Sequence, residues 1–179
     1  CMDNCIEFYK LSKNKYNFTI HRLPIFIDSN ISNLNLVKNN IFNILTITRF
    51  EFPFKGYVLG LIDTFVELFK NDKKISLTII GYGANKEEVD LKLKQIPANI
   101  KERISVLDQV AYSAIGDYIN KCDLYVGMGT TILDAANKNK IVITAAAYQN
   151  YSNSTGFFHN NYKTVAEIFK SSKKYDQFY

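Results

Sequence analysis

The chain has 179 residues, 47% of them hydrophobic and 22% charged, with 8 Gly, 3 Pro and no Trp. That is one ordinary globular domain with enough apolar material for a full core, too apolar and too evenly charged for a disordered segment. Its longest apolar runs, Ile41–Ile47 and Ile141–Ala147, are short and interrupted, so no segment is expected to span a bilayer.

Three cysteines (Cys1, Cys5, Cys122) are too few and too scattered for a disulfide scaffold, and without a second pair or a His-x-x-x-His they make no metal site. The polar opening, CMDNCIEFYKLSKNKY, lacks the continuous apolar stretch of a signal peptide. Together these point to a cytoplasmic protein. A formal net charge of +5 favours anionic partners. The twelve tyrosines, however, are spread through strands and helices with no basic stripe beside them, which argues against nucleic acid.

In chain order, Tyr16–Ile27 reads as extended and Asp28–Asn40 as an Asn- and Ser-rich surface loop. Asn43–Thr48 is the first strand. Tyr57–Lys70 follows as a helix with Val58, Leu61, Ile62, Phe65, Leu68 and Phe69 on one stripe. Ile75–Ile80 is a second strand, broken by Gly81-Tyr82-Gly83. Lys86–Gln95 is a helix that ends near Pro97. The rhythm continues with strand Arg103–Leu107, helix Ala111–Lys121, strand Asp123–Val126, helix Thr131–Lys138 and strand Ile141–Ala145. A last helix is expected at Val165–Phe169 and a frayed tail at 171–179. Strand–helix alternation with short connections predicts a Rossmann-like α/β domain, an open parallel sheet with helices on both faces. Because the first regular unit begins only after residue 40, the chain is expected to be a piece of a longer protein.

In such a sheet ligands bind beyond the carboxyl ends of the strands. The loops to inspect are therefore Thr48-Arg49, Gly81-Tyr82-Gly83, Leu107-Asp108 and Gly127–Thr131. Gly129 lets backbone approach an oxygen closely, and Thr130 or Thr131 can cap the following helix. Asp134, in its first turn, could accept ribose hydroxyls; the plainer alternative is a capped turn with a helix-start acid. Arg49 and Lys55 frame a loop with Phe50, Phe52, Pro53 and Phe54, suited to a leaving diphosphate unless both are merely solvated surface cations. A dinucleotide reading of Gly81-Tyr82-Gly83 fails for want of the third glycine, since Lys86 stands at the sixth position. No G-x-S-x-G, Walker lysine motif or H-E-x-x-H occurs, and His21 and His159 are isolated.

These residues form a known pattern. ILTITRFEFPFKGYVLGLIDTF resembles the opening of the C-terminal domain of GT-B glycosyltransferases, most like the retaining family 4 (group 1). The likeness continues through LTIIGYGANKEEVD, RISVLDQV, IGDYINKCDLYVGMG and TTILDAANKNKIVITA, with RLPIFID leading in, over about residues 22–170. The resemblance implies that Arg49 and Lys55 neutralise the diphosphate of a nucleotide sugar. It implies further that Gly81 and Gly83 give the nucleotide room, that Leu107 to Val110 meet the base, that Gly129, Thr130 and Thr131 form the phosphate loop, and that Asp134 holds the ribose. It implies neither cofactor nor metal. The partners it implies are a glycan or lipid-linked acceptor and an N-terminal GT-B half outside this chain.

Two positions depart from the family pattern. Asp134 stands where Glu is usual, and Val126 falls where the first acid of E-x7-E would reach the donor sugar. A non-catalytic nucleotide-binding module is therefore the alternative, and an NAD-linked oxidoreductase a more distant one. Lysines 170, 173 and 174 are the candidates for a peripheral membrane contact, against the plainer reading of a solvated face.

Overall fold

The computed structural model describes residues 40–148 and 153–160 and the short strand Asp176–Gln177. The expected elements at Tyr16–Ile27 and Val165–Phe169, and the lysines at 170, 173 and 174, lie outside the described residues.

Strand β1 (Phe42–Arg49) leads to helix α1 (Tyr57–Asn71), and β2 (Ile75–Tyr82) to α2 (Lys86–Lys94). A four-residue helix α3 (Ala98–Lys101), missed in the sequence reading, follows Pro97 and precedes β3 (Ile104–Leu107). Then come α4 (Tyr112–Lys121), β4 (Leu124–Gly127), α5 (Thr131–Asn137) and β5 (Ile141–Ala145). The sheet order is β3-β2-β1-β4-β5, all parallel, and continues into β6 (Asn153–Phe157) and β7 (Asp176–Gln177).

The parallel part matches the expectation within a residue or two at most ends. Its last two strands do not: β5 pairs β6 and β6 pairs β7 antiparallel. Asn153–Phe157 (NSTGF) carries little β-branched or apolar material to announce a strand, and Asp176–Gln177 sits in the segment expected to fray.

Alternation along the strands sorts the core into two layers. Ile44, Leu77, Ile79, Val126, Ile143 and Ala145 face one side and pack under α1 and α2, against Val58, Leu61, Ile62, Phe65 and Val89. Leu45, Ile80, Tyr125 and Val142 face the other and pack under α4 and α5, against Ile119, Ile132 and Ala135. Two tyrosines sit wholly inside. The Tyr57 hydroxyl shares a 3.0 Å hydrogen bond with Thr46, and that of Tyr125 donates to the Ile47 carbonyl at 3.4 Å. Burial raises both phenols above the ordinary tyrosine value.

The order of the first five strands sets the position of the site. β1 is the first strand, with β2 on one side and β4 on the other. Its following helix covers one face, while the helix after β4 covers the opposite face. Loops leaving these neighbouring strands therefore part in opposite directions and open a crevice at their carboxyl ends.

Candidate functional site

Arg49 is the last residue of β1, one step earlier than a loop position. The register Leu45↔Tyr125 puts Gly127, the last residue of β4, level with Ile47. The loops 50–56 and 128–130 thus leave the sheet side by side.

The first loop is firmly tied. The Phe50 amide donates to the Tyr82 carbonyl (2.7 Å), Lys55 to Glu51 (2.8 Å) and Asn85 to Phe50 (3.1 Å). The Phe52 amide donates to the Asn85 side-chain oxygen at 2.8 Å, and the Phe52–Pro53 peptide bond is cis. On its far side the Tyr148 amide donates to the Phe54 carbonyl (3.0 Å), with the two rings 5.1 Å apart.

Within this frame Lys55 lies near enough to Arg49 to feel its charge. Lys55 is half-buried, and burial first, then the nearby Arg49 guanidinium, holds its ammonium below the usual lysine value. Glu51 acts in the opposite sense. An Arg49 Nη1 lies 3.1 Å from the Glu51 carboxylate, both side chains open to solvent (56% and 41% exposed). Two cations and one acid therefore share the loop, leaving one net positive charge. Sequence reasoning passed over Glu51, although it stands between the two cations in the chain.

The glycines divide into two kinds. Gly81 is not a turn residue: it lies inside β2, paired with Thr48. A Cβ there would stand 2.6 Å from the Thr48 carbonyl oxygen and 2.8 Å from the Phe50 ring. Gly83 has φ +143°, and a Cβ would fall 2.6 Å from the Phe50 carbonyl oxygen. The close approach at both is to the protein's own β1 end, so both have an internal reason to be glycine. Gly129 differs. Its φ of +77° needs glycine, yet no atom lies within 4 Å of an added Cβ, so this backbone faces open space.

The threonines do not cap α5 as expected. Thr130 is the residue before the helix, has helical φ and ψ, and makes no side-chain capping bond. Its side chain is exposed. Thr131 donates weakly back to the Met128 carbonyl (3.4 Å) and contacts the Tyr125 hydroxyl. Leu107 and Val110 are half-buried against the α4–α5 layer, at the sheet edge two strands from β1.

Asp134 lines a cleft of about 350 Å³ between α4 and α5, with Tyr112, Ser113, Gly116, Asn137 and Lys138. Burial raises its carboxyl above the usual value, while Lys138 works against that shift. Tyr112, 84% exposed at the start of α4, is a cleft residue the sequence reading did not single out. Val126 is 1% exposed and packs under α1. Val126, where the resemblance would place an acid, is thus in the core. Among the described residues, no three or more His, Cys, Asp or Glu side chains gather as a metal site, and no helix is long and apolar enough to cross a membrane.

The site therefore comprises a cationic loop after β1, an open glycine turn after β4 and, on the α4–α5 face, a cleft holding Asp134. Searched by sequence, the chain matches no protein-family model and no curated protein. By structure it is similar to S. aureus TarM, in complex with fondaparinux, α-GlcNAc-glycerol and UDP (TM-score 0.58, 18% identity, 74% of this chain and 27% of TarM). It is also similar to the pneumococcal O-GlcNAc transferase GtfA, in complex with UDP and GlcNAc (0.56, 18%, 80% and 28%). A third similarity is to the C-terminal domain of the group 1 glycosyl transferase LpcC from Francisella tularensis (0.54, 20%, 67% and 70%). The chain has the α/β fold of a GT-B C-terminal domain and spans about a quarter of the length of TarM or GtfA.

Proposed function

We propose that this domain binds a nucleoside diphosphate sugar and stabilises the departing diphosphate while the glycosyl group passes to a hydroxyl of a glycan or lipid-linked acceptor. The observation that carries the reading is that Arg49, at the end of β1, lies close enough to Lys55, in the tied loop that follows, for its charge to act on the ammonium beside the β1–β4 crevice. Holding the Lys55 ammonium there has a cost, from burial first and from the Arg49 guanidinium second. A bound dianion removes that cost and gains two charge-assisted hydrogen bonds.

In this reading the diphosphate meets Arg49, Lys55 and the open backbone at Gly129. The nucleoside extends toward Leu107–Val110 and the mouth of the α4–α5 cleft, where Asp134 accepts from ribose hydroxyls. Adjacent strands are ~4.8 Å apart, so β3 stands roughly 10 Å from β1, a span suited to a nucleoside diphosphate laid across the strand ends. As the glycosidic bond to the diphosphate breaks, negative charge grows on the leaving oxygen, and the two side-chain cations supply the neutralising charge. An N-terminal GT-B half supplies the acceptor wall, and a cytoplasmic, retaining enzyme fits the family 4 resemblance.

Calorimetry of the chain with UDP, GDP, UDP-GlcNAc, GDP-mannose and NAD tests the reading. Charge-assisted bonds are worth about 1.5–3 kcal/mol each, so Arg49→Ala and Lys55→Ala should each weaken diphosphate binding by roughly tenfold or more. Unchanged affinity in both variants, or binding of NAD in preference to either diphosphate, overturns it. The burial of Val126 favours a second reading, a nucleotide-binding module without turnover. A transfer assay on the protein together with its N-terminal half separates the two.

A further inference from the structure

Val126, where the resemblance would place an acid on the donor sugar, lies inside the core. An acid of this chain that meets a donor sugar has to come from elsewhere on the crevice. Five loops leave the carboxyl ends of β1 to β5: residues 50–56, 83–85, 108–111, 128–130 and 146–148. Only two acids occur in them, Glu51 and Asp108. Asp108 follows β3 at the sheet edge, two strands from β1. Glu51 lies between the two cations and touches one of them.

We propose that Glu51 accepts a hydrogen bond from a hydroxyl of the donor's glycosyl group, taking the place of the acid missing at Val126. This rests on the diphosphate reading above. Its carboxylate is 3.1 Å from Arg49 Nη1, so whatever is esterified to a phosphate held by that guanidinium comes within its reach. Its backbone is fixed, with the Glu51 amide on the Arg49 carbonyl (3.0 Å) and its carbonyl accepting from Lys55. Among the described residues the side chain is held by an exposed ion pair, a weak tie that a substrate hydroxyl and a phosphate can replace together.

The charge balance favours the same assignment. Free nucleoside diphosphate carries about one more negative charge than its sugar ester, because its terminal phosphate is a monoester. Beside Glu51 the free diphosphate is repelled more strongly than the ester. The same carboxylate then selects the donor and hastens release of the spent nucleotide.

The test compares wild type, E51A and E51D by calorimetry, with melting curves to confirm folding. The ligands are UDP, its methyl ester (the charge of a donor without glycosyl hydroxyls), UDP-glucose, UDP-galactose and UDP-GlcNAc, with GDP, its methyl ester and GDP-mannose as the guanosine set. Wild type should bind at least one sugar ester more tightly than the matching methyl ester. E51A should bind the free diphosphate more tightly than wild type does, and should lose roughly tenfold of the sugar-over-methyl preference, a charged hydrogen bond's worth. E51D should restore part of that preference. Equal tightening of all ligands in E51A makes Glu51 a competing counter-ion only and overturns the proposal. So does a wild type that prefers no sugar ester over its methyl ester, or an E51A identical to wild type. If neither diphosphate binds wild type at all, the diphosphate reading itself fails, a different result from the other three.

Discussion

Introducing an acid at position 126, where the family resemblance would have one, is the most direct test of how this crevice is built. Val126→Glu should damage the fold rather than create a sugar contact. Val126 is 1% exposed, within the layer under α1 beside Ile44, Ile143 and Met128. Losing its buried methyls costs about 1.5 kcal/mol, forcing in a longer side chain about 1–3, and burying an unpartnered neutral carboxyl about 1–3. The sum is about 3.5–7.5 kcal/mol against a typical total of about 5–15, which lowers the melting temperature by about 7–30 °C at 2–4 °C per kcal/mol.

The pH dependence identifies the cause. A buried glutamate has its folded pKa raised above its unfolded value near 4.3. The variant should therefore be least destabilised below that value and lose further stability as pH rises through the raised folded pKa. Val126→Gln has no such group and should show no extra slope. Urea titrations of wild type and both variants at pH 5 and pH 8 measure this. A Val126→Glu protein within about 1 kcal/mol of wild type at pH 8, with a gain in affinity for any sugar nucleotide, would refute the placement of this residue in the core.

Two further predictions concern the β1 loop. Gly83→Ala places a Cβ 2.6 Å from the Phe50 carbonyl oxygen at φ +143°; it should cost about 2–4 kcal/mol and weaken diphosphate binding by displacing the loop that carries Arg49 and Lys55. Unchanged melting and binding would count against that coupling. Diphosphate affinity should fall as pH rises, beginning below the usual lysine value of 10.5, because Lys55 loses its proton early and only the ammonium attracts the anion. Titration of wild type and Lys55→Ala between pH 7 and 10 checks this; equal slopes would remove Lys55 from the site.

The parallel half of the sheet was legible because each of its elements carries its own periodicity. NILTIT, ISLTII and IVIT are near-continuous apolar strands, buried on both faces except at strand ends such as Ile141, and the Val58–Phe69 stripe could belong only to a helix covering one of them. What pairs across distance was not. NSTGF has no pattern of its own, and its place beside β5 is set by tertiary pairing. The glycines of GYG looked like a ligand turn, but what demands them is Phe50, over thirty residues away in the chain and beside them in space. Arg49 and Lys55 could be picked from spacing alone. The half-burial of Lys55 near Arg49, and the acid paired with Arg49, required the folded loop. Likewise Val126 read as a missing group in the sequence, whereas the structure shows it as a core residue under α1.

The two-sided anchoring of the loop after β1 bears on how a ligand would be received. Asn85 grips it at Phe52 from the β2 side, and Tyr148 grips it at Phe54 from the β5 side. The cation-bearing segment is thereby braced on both flanks before any guest arrives. Little conformational freedom is left to surrender on association, so capture should resemble a key entering a cut lock, and residence time should follow the strength of the ionic grip instead of the swing of a flap.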